Sequence, residues 1–433
     1  MARNSAAGRR PQTPDAADTP KEGIIPTALG SRHPLRLTSP PPRDQAGANC
    51  RTAMPSPTIL FCLDYYFPHV GGAEVLFQNL AEGLVARGWR VLVVTQRVPG
   101  AKAAETVNGV DIHRVWTANS RYVFTFLCLP AMFRLARAAD LIHATTFAAA
   151  WPAWLTARRQ RRPLVLTVHE VWIGQWHRVS DASWFSNVVH DLMERALYWC
   201  NYQNYVAVSA ATAAALRKIR VPADRITTIH NGLDYDFWNP ARHSGVAIRA
   251  RLGLADRQVF FFSGRPGNSK GLLFLLQALA RIIPDHPRAV LVALLSHAPA
   301  CQPGLKRALT MIRNLDLQQH VVVIPSVSHA ELPEWVSAAD TVVVPSLSEG
   351  FGFAAAEACA LGKPVIATNN AALPEVVSGP RLLIPPGDVD ALATAMRQAL
   401  NRDFEYAPPR RFPLADNLQK HIDLYAHILP SLT

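Results

Sequence analysis

Twelve short apolar runs, separated by stretches with helical spacing, constrain this chain more than any other feature. Six precede residue 235: Thr58–Leu63, Val91–Thr95, Leu141–His143, Leu164–Val168, Tyr205–Ser209 and Ile226–Ile229. Six follow residue 254: Val259–Ser263, Ala289–Leu295, Val321–Pro325, Thr341–Pro345, Pro364–Thr368 and Leu382–Ile384. Runs this short between helices suit strands covered on both faces, so the pattern predicts an α/β fold of doubly wound parallel sheets. A chain of 433 residues is too long for one ordinary core. The polar, irregular stretch Asp234–Leu254 divides the two series. The expectation is two Rossmann-like domains, an N-terminal one at 56–235 and a C-terminal one at 255–400, with a linker at 236–254. In 401–433, Leu418, Ile422, Tyr425 and Leu429 form a stripe at helical spacing. That helix is expected to cross back to the N-terminal domain.

Residues 1–55 show no periodicity, and eight prolines fall before Ala53. They read as a disordered, basic, Pro-rich tail. Met54 directly precedes PSPTILF, where the first strand begins, and is a candidate start. Mass spectrometry of the endogenous protein showing residues before Met54 would remove that idea. Net charge is +12, of which residues 1–53 supply +4. The excess attracts phosphate-bearing ligands or an anionic membrane surface, or it is simply a basic surface. A nucleic-acid partner is not expected, since no recognition module is present.

The six cysteines (Cys50, Cys62, Cys128, Cys200, Cys301, Cys359) show neither CxxC nor zinc-ligand spacing. A reducing cytoplasm fits them best. No apolar run reaches the roughly 18 residues that span a bilayer. Tyr122–Phe133 comes nearest and ends at Arg134. The N-terminus lacks the apolar core of a signal peptide. The expected setting is cytoplasmic, with the inner face of the membrane as the alternative.

Chemistry concentrates at Pro345–Glu375, PSLSEGFGFAAAEACALGKPVIATNNAALPE. It sets Glu349 in a loop and Glu357 in the expected first turn of the next helix. Gly350 and Gly352 let backbone approach a ligand. Two carboxylates can accept from paired hydroxyls, and a helix N-terminus offers N–H groups to an anion. Upstream, GRPGNSKG places Arg265 and Lys270 around a turn after a strand. Two cations there form a candidate diphosphate clamp, although GxxxxGK[ST] is missing. Gly71-Gly72 opens a helix carrying Val75, Leu76, Leu80 and Leu84. It is either a phosphate-binding turn or simply a tight one, and it is not GxGxxG.

His169 stands directly after the strand LVLTV, at the strand end where α/β sheets bind ligands. A buried structural His is the alternative, and His143 is placed similarly. Trp172, Trp176 and Trp184 suit sugar stacking, a lipid headgroup or core packing. ARRQRR at Ala157–Arg162 is a solvated helix end or a membrane-surface cluster.

These pieces, in this order, resemble the retaining glycosyltransferases of family 4, which have the GT-B fold. FPHVGGAE, DLIHATTF, the strand ending in His169, VSAAT, IHNGLD, GRPGNSKG and PSLSEGFGFAAAEACALGKPVIA cover about Thr58 to Tyr425. Glu349 and Glu357 match the family's E-x7-E pair, with GFG between them. The resemblance implies two Rossmann-like domains facing across a cleft, the N-terminal one holding the acceptor and the C-terminal one the nucleotide sugar. It implies Glu357 on the ribose hydroxyls and Glu349 on the donor sugar. Backbone around Phe351, Gly352 and Phe353 would contact the sugar. Arg265 and Lys270 would hold the diphosphate, Gly72 would reach it from the facing domain, and His169 would lie near the donor sugar. No cofactor beyond the nucleotide-sugar substrate is implied, and no metal, since the Asp-x-Asp ion-holding pair of other glycosyltransferases has no evident counterpart.

The chain departs from the family at four places. LLSHAP (Leu294–Pro299) stands for a Gly-rich turn, Ser326 for a Gly, Ala371-Ala372 for a Gly pair, and Thr145 for a His. These leave open the base and the sugar. The expected partners are a UDP- or GDP-hexose and a hydroxyl acceptor, lipid-linked or soluble. The rival readings are a GT-B epimerase and a non-catalytic nucleotide-sugar binding subunit.

Overall fold

The computed structural model describes residues 56–429 apart from Val70 and Asn119; the expected tail 1–55 lies outside them. Two sheets organise this unit. The first holds β1 (Thr58–Cys62), β2 (Arg90–Gln96), β3 (Ala104–Val107), β4 (Val110–Val115), β5 (Leu141–Thr145), β6 (Leu164–Val168), β7 (Asn204–Ala207) and β8 (Ile226–Thr228). Their order is β3-β4-β2-β1-β5-β6-β7-β8. The second holds β9 (Gln258–Gly264), β10 (Ala289–Leu295), β11 (Val321–Pro325), β12 (Thr341–Val344), β13 (Val365–Thr368), β14 (Gly379–Ile384) and β15 (Glu405–Ala407). Their order is β11-β10-β9-β12-β13-β14-β15.

All pairings are parallel except β3 with β4 and β14 with β15, which lie at sheet edges. The expected α/β class with two doubly wound sheets is what forms. Its cause is visible in β1, β5, β6 and β10, whose residues are buried throughout because helices cover both faces. The three strands absent from the sequence reading, β3, β4 and β15, are edge or near-edge strands with polar residues and no continuous apolar run.

Strand order reverses direction between β1 and β5 in the first sheet, and between β9 and β12 in the second. Such switch points open a crevice beyond the carboxyl ends of the strands. The loops after β1 and β9, with Gly71-Gly72 and Arg265–Lys270, and the loop after β12, with Glu349, therefore start at crevices.

Helix Leu414–Ile428 packs on the first sheet. Leu418, Leu424 and Tyr425 join Phe61, Phe77 and Leu80 in one core. Gly83 of helix Gly72–Ala86 lacks the side chain that Leu418 would displace: a Cβ there would sit 2.4 Å from Leu418 Cδ2. The Tyr425 hydroxyl lies 2.6 Å from His143 Nδ1. His143 is wholly buried, and its other ring nitrogen meets Thr167 Oγ1 at 2.7 Å. Residues 236–254 contain helix Val246–Arg251 and send Trp238, Ile248 and Leu254 into the core of the second sheet.

Candidate active site

Lys270 and Glu349 meet at the second switch point. Lys270 Nζ lies 2.6 Å from Glu349 Oε1, which also accepts from Ser346 Oγ at 2.9 Å. The two loops are stitched together at backbone level, with Leu347 N donating to Ser269 O at 2.8 Å. Gly271 has φ +71, and a Cβ there would fall 1.9 Å from the Pro345 carbonyl oxygen. Only glycine lets the cation loop lie this close under the carboxylate loop. Arg265 is exposed and makes no ion pair with a described residue.

Gly352 takes φ +88 and caps helix Phe353–Ala360. Glu357 is therefore the fifth residue of that helix. The expectation that it sits in the first turn is corrected: left-handed Gly352 delays the helix start. The Glu357 carboxyl has no hydrogen-bond or ion-pair partner among the described residues. Burial alone pushes it up to about 8. Phe351 is buried between Phe353 and Phe412, each at a centroid distance of 5.2 Å, and Phe353 reaches the opposite wall. A Cβ on Gly72 would stand 2.9 Å from Phe353 Cδ2.

The first sheet supplies the facing wall. His169 follows β6, and burial holds its imidazole down at about 4, with Glu74 opposing. The ring is neutral at ordinary pH, and its Nε2 has no protein partner. The His169 carbonyl lies 2.0 Å from where a Cβ of Gly350 would be. Next to it, Glu170 Oε1 accepts from Ser348 Oγ at 2.6 Å. Burial raises the Glu170 carboxyl, Lys270 lowers it and Glu349 raises it again. Gly72, His169, Arg265, Lys270, Glu349, Phe351, Gly352, Phe353 and Glu357 thus lie on loops and helix ends that follow strands of the two sheets, with Gly72 against Phe353 and Gly350 against His169.

Further residues join them without a sequence signal of their own role. Glu170 could have been flagged as a second ionisable group at a strand end. Asp181 accepts from Asn268 N at 3.3 Å and from Arg307 Nη2 at 2.5 Å. Glu375 accepts from Ala210 N and Ala211 N at 3.0 and 3.1 Å and lies 3.2 Å from His230 Nε2. Ala371 takes φ +51, a left-handed conformation at a position where the resemblance expects glycine.

Two Asp-x-Asp triplets do occur, which corrects the sequence reading. Asp234 accepts from Asp236 N and Phe237 N in a local turn. Asp388 caps a helix through Ala391 N, and Asp390 pairs with Arg281. The carboxylates of Asp234, Asp388 and Asp390 are thus engaged structurally. Among the described residues, no group of three His, Cys, Asp or Glu is placed to hold a metal ion.

The tryptophans divide. Trp172 and Trp176 pack edge to face at 4.9 Å, while Trp184 is exposed.

Residues 70–237 match the family described as Glycosyltransferase Family 4, and residues 247–413 match Glycosyl transferases group 1. A D-inositol 3-phosphate glycosyltransferase from Kineococcus radiotolerans is 30% identical over 76% of this chain and 82% of its own. One from Xylanimonas cellulosilytica is 32% identical over 55% of this chain, which spans only 57% of that relative's length. Among solved structures, sucrose-phosphate synthase from Thermosynechococcus elongatus superposes with a TM-score of 0.73 at 23% identity. The match covers 87% of this chain and 100% of that one. Anabaena HepE, in complex with UDP-glucose, superposes with a TM-score of 0.68 at 22% identity, covering 86% and 99%.

Proposed function

This chain belongs to glycosyltransferase family 4, with the GT-B fold, and we propose that it moves a hexosyl unit from a UDP- or GDP-linked sugar to a hydroxyl acceptor with retention of configuration. The observation that carries this reading is the Lys270–Glu349 pair at 2.6 Å beside an unpaired Arg265 and a partnerless Glu357. Cations for a diphosphate, a carboxylate for a sugar and a second carboxylate for a ribose diol are then set along one cleft wall.

In this reading Arg265 and Lys270 take the charge that builds on the diphosphate as it leaves. Gly72 brings backbone at the start of its helix toward the same phosphates. Glu357 accepts from the ribose hydroxyls. Glu349 and the backbone of Phe351, Gly352 and Phe353 orient the sugar, with His169 on the opposite side. The acceptor oxygen attacks C1 from the face the diphosphate leaves. The C1–O bond to phosphate breaks as the new C1–O bond forms, and the acceptor proton passes to the departing phosphate oxygen. Fixed side-chain cations supply the charge here, so the reading calls for no metal.

The acceptor is proposed to be lipid-linked, at an anionic membrane face within the cytoplasm, in the synthesis of a cell-surface polysaccharide or glycolipid. A soluble acceptor is the alternative. Among the described residues no helix is long and apolar enough to cross a membrane, so contact would be peripheral. Thermal shift with UDP, GDP and ADP tests the core of the proposal. Stabilisation by UDP or GDP is expected, and absence of any shift with all three overturns it. A donor screen with a lipid extract against soluble sugars then separates the acceptor classes.

A further inference from the structure

Helix Trp184–Tyr198 is turned inside out. The residues it buries are Asn187 and Glu194, both polar. Glu194 accepts from Trp172 N at 2.9 Å and from Trp176 Nε1 at 2.7 Å. Asn187 donates to Ala182 O at 3.1 Å. These bonds fix the helix with its polar side inward, on the preceding loop. Leu197 and Tyr198, in its last turn, pack on the core of the first sheet, but most of its apolar residues are left outside: Trp184 is 76% exposed, Phe185 71% and Leu192 60%, and Trp199 just beyond its end is 85% exposed. A globular surface does not gain from this arrangement by itself.

The patch continues onto its neighbours. Tyr122, on helix Arg121–Leu127, bonds through its hydroxyl to His190 Nε2 at 2.7 Å. Phe126 of the same helix lies tilted against Trp151 of helix Ala150–Gln160 at a centroid distance of 5.9 Å, and both are exposed. At the other end of helix Ala150–Gln160 lie Arg158, Arg159 and Arg161. Arg162 donates to the Arg137 carbonyl at 3.1 Å, which brings the end of helix Leu129–Leu135 beside them. Arg134, Arg137, Arg158, Arg159 and Arg161 are all exposed, and none pairs with an acidic residue among the described residues. The connections β5 to β6 and β6 to β7 run in one direction along the sheet, so their right-handed crossovers put both helices on one face.

We propose that this layer of the N-terminal domain is a seat for an anionic lipid surface, with the apolar helix face entering the headgroup region and the arginine cluster facing lipid phosphates. Tryptophans at both ends of an apolar helix face are what an interface selects. Five arginines without an acidic partner among the described residues, on the same layer, supply the complementary charge. The same charge disfavours the other occupants. Two copies meeting through this layer would bring their arginine clusters together. Residues 1–53 carry +4 and contain no Phe, Tyr or Trp, so they match neither the charge nor the aromatic face.

The seat also orients the cleft. Asp181, three residues before Trp184, binds Asn268 N on the cation loop. The apolar helix therefore begins at the cleft mouth, and docking would present that mouth to a lipid-borne hydroxyl. This consequence rests on the glycosyltransferase reading; the docking itself does not.

Flotation of the full chain with phosphatidylglycerol-containing vesicles, at low and high salt, tests the seat. Flotation is expected with these vesicles and should be much weaker with phosphatidylcholine alone. The pair R158E and R159E should weaken partition roughly 30-fold or more. The pair W184S and L192S should reduce it at both salt levels. In the unaltered chain, brominated lipid should quench tryptophan fluorescence, less so in W184F. Absence of flotation with anionic vesicles at low salt overturns the proposal. So does undiminished flotation of both double variants while each still folds, or sedimentation showing a dimer that W184S and L192S dissociate. Quenching as strong in W184F as in the unaltered chain overturns it independently of how the double variants fold. Vesicle binding without any nucleotide-induced thermal shift would sink the catalytic reading and leave the seat standing.

Discussion

Lys270 Nζ and Glu349 Oε1 stand 2.6 Å apart, so the cation expected on the diphosphate and the carboxylate expected on the sugar are already partners. Both are largely sheltered, with side chains 24% and 12% exposed. The pair holds each group in place before a donor arrives, which is how fixed charge lowers a barrier without reorganising at the moment of reaction. Lys270→Ala should lower kcat/KM by a factor of ~10²–10³, about 2.7–4 kcal/mol in the barrier. Glu349→Gln keeps the shape but frees the lysine, and should lose transfer while nucleotide binding persists. Steady-state kinetics with the best donor checks both. Near-normal turnover in either would mean that the pair is only a loop clasp.

The second carboxylate makes a pH prediction. Burial pushes Glu357 up to about 8, so the protein without nucleotide should hold it protonated at neutral pH. Hydroxyl donors of a ribose favour the ionised form, so nucleotide binding should release a proton near neutrality. UDP or GDP affinity should rise as pH climbs toward about 8 and then level. Calorimetry in two buffers of different ionisation heat reads the proton directly. For folding the sign is opposite. The unfolded chain ionises this group first, so stability falls as pH rises from the ordinary glutamate range, near 4.5, to about 8. Glu357→Gln should raise donor KM, flatten the pH dependence of binding and be the more stable protein above pH 8. A Gln variant with unchanged proton release would remove Glu357 from the nucleotide site.

Gly350 is where the two walls come closest. A Cβ there would lie 2.0 Å from the His169 carbonyl and 3.0 Å from Glu170 Cγ. Backbone cannot yield as a flexible side chain can, so Gly350→Ala should hold the walls apart. Displacement of this order costs about 10²-fold when reacting groups must align. The expected result is a large fall in kcat with thermal stability nearly unchanged and a larger radius of gyration in solution scattering. Unaltered kcat would mean that turnover does not need this approach.

How much of this was legible in the sequence follows from which forces were local. The buried strands were readable because continuous apolar runs mark parallel strands covered on both faces. β3 and β4 were not, because AETV and VDIHRV pair with each other at an edge, with no buried residue in the first and only every second residue buried in the other. Glu349 and Lys270 could be picked out by motif, but their contact spans 79 positions and nothing local encodes it. The start of the Glu357 helix was misplaced because Gly352 adopts a left-handed φ that composition alone does not reveal. Asp181 and Glu375 were invisible for a simpler reason. Single carboxylates gain a role only when the other domain brings them a backbone N–H.

Glu375 gives the last prediction. Its carboxylate bridges the first N–H groups of helix Ala210–Lys218, on the first sheet's side, and His230. Burial would raise its pKa, but the His230 hydrogen bond and the Ala211 and Ala210 N–H groups outweigh it and hold the carboxyl below its usual range. A carboxylate at a helix N-terminus also meets the positive end of the peptide dipoles. Because the group is depressed when the walls are joined, the contribution is full above the usual glutamate pKa. It is lost as pH falls through the lowered value. Glu375→Gln should loosen the join by about 1 kcal/mol, a discounted figure for a partly exposed charged hydrogen bond. The readout is hydrogen exchange at Ala210 and Ala211, which should quicken several-fold in the variant and, in the unaltered chain, only in acid. Equal protection in both proteins at neutral pH would show that the N-terminus of that helix is satisfied without Glu375.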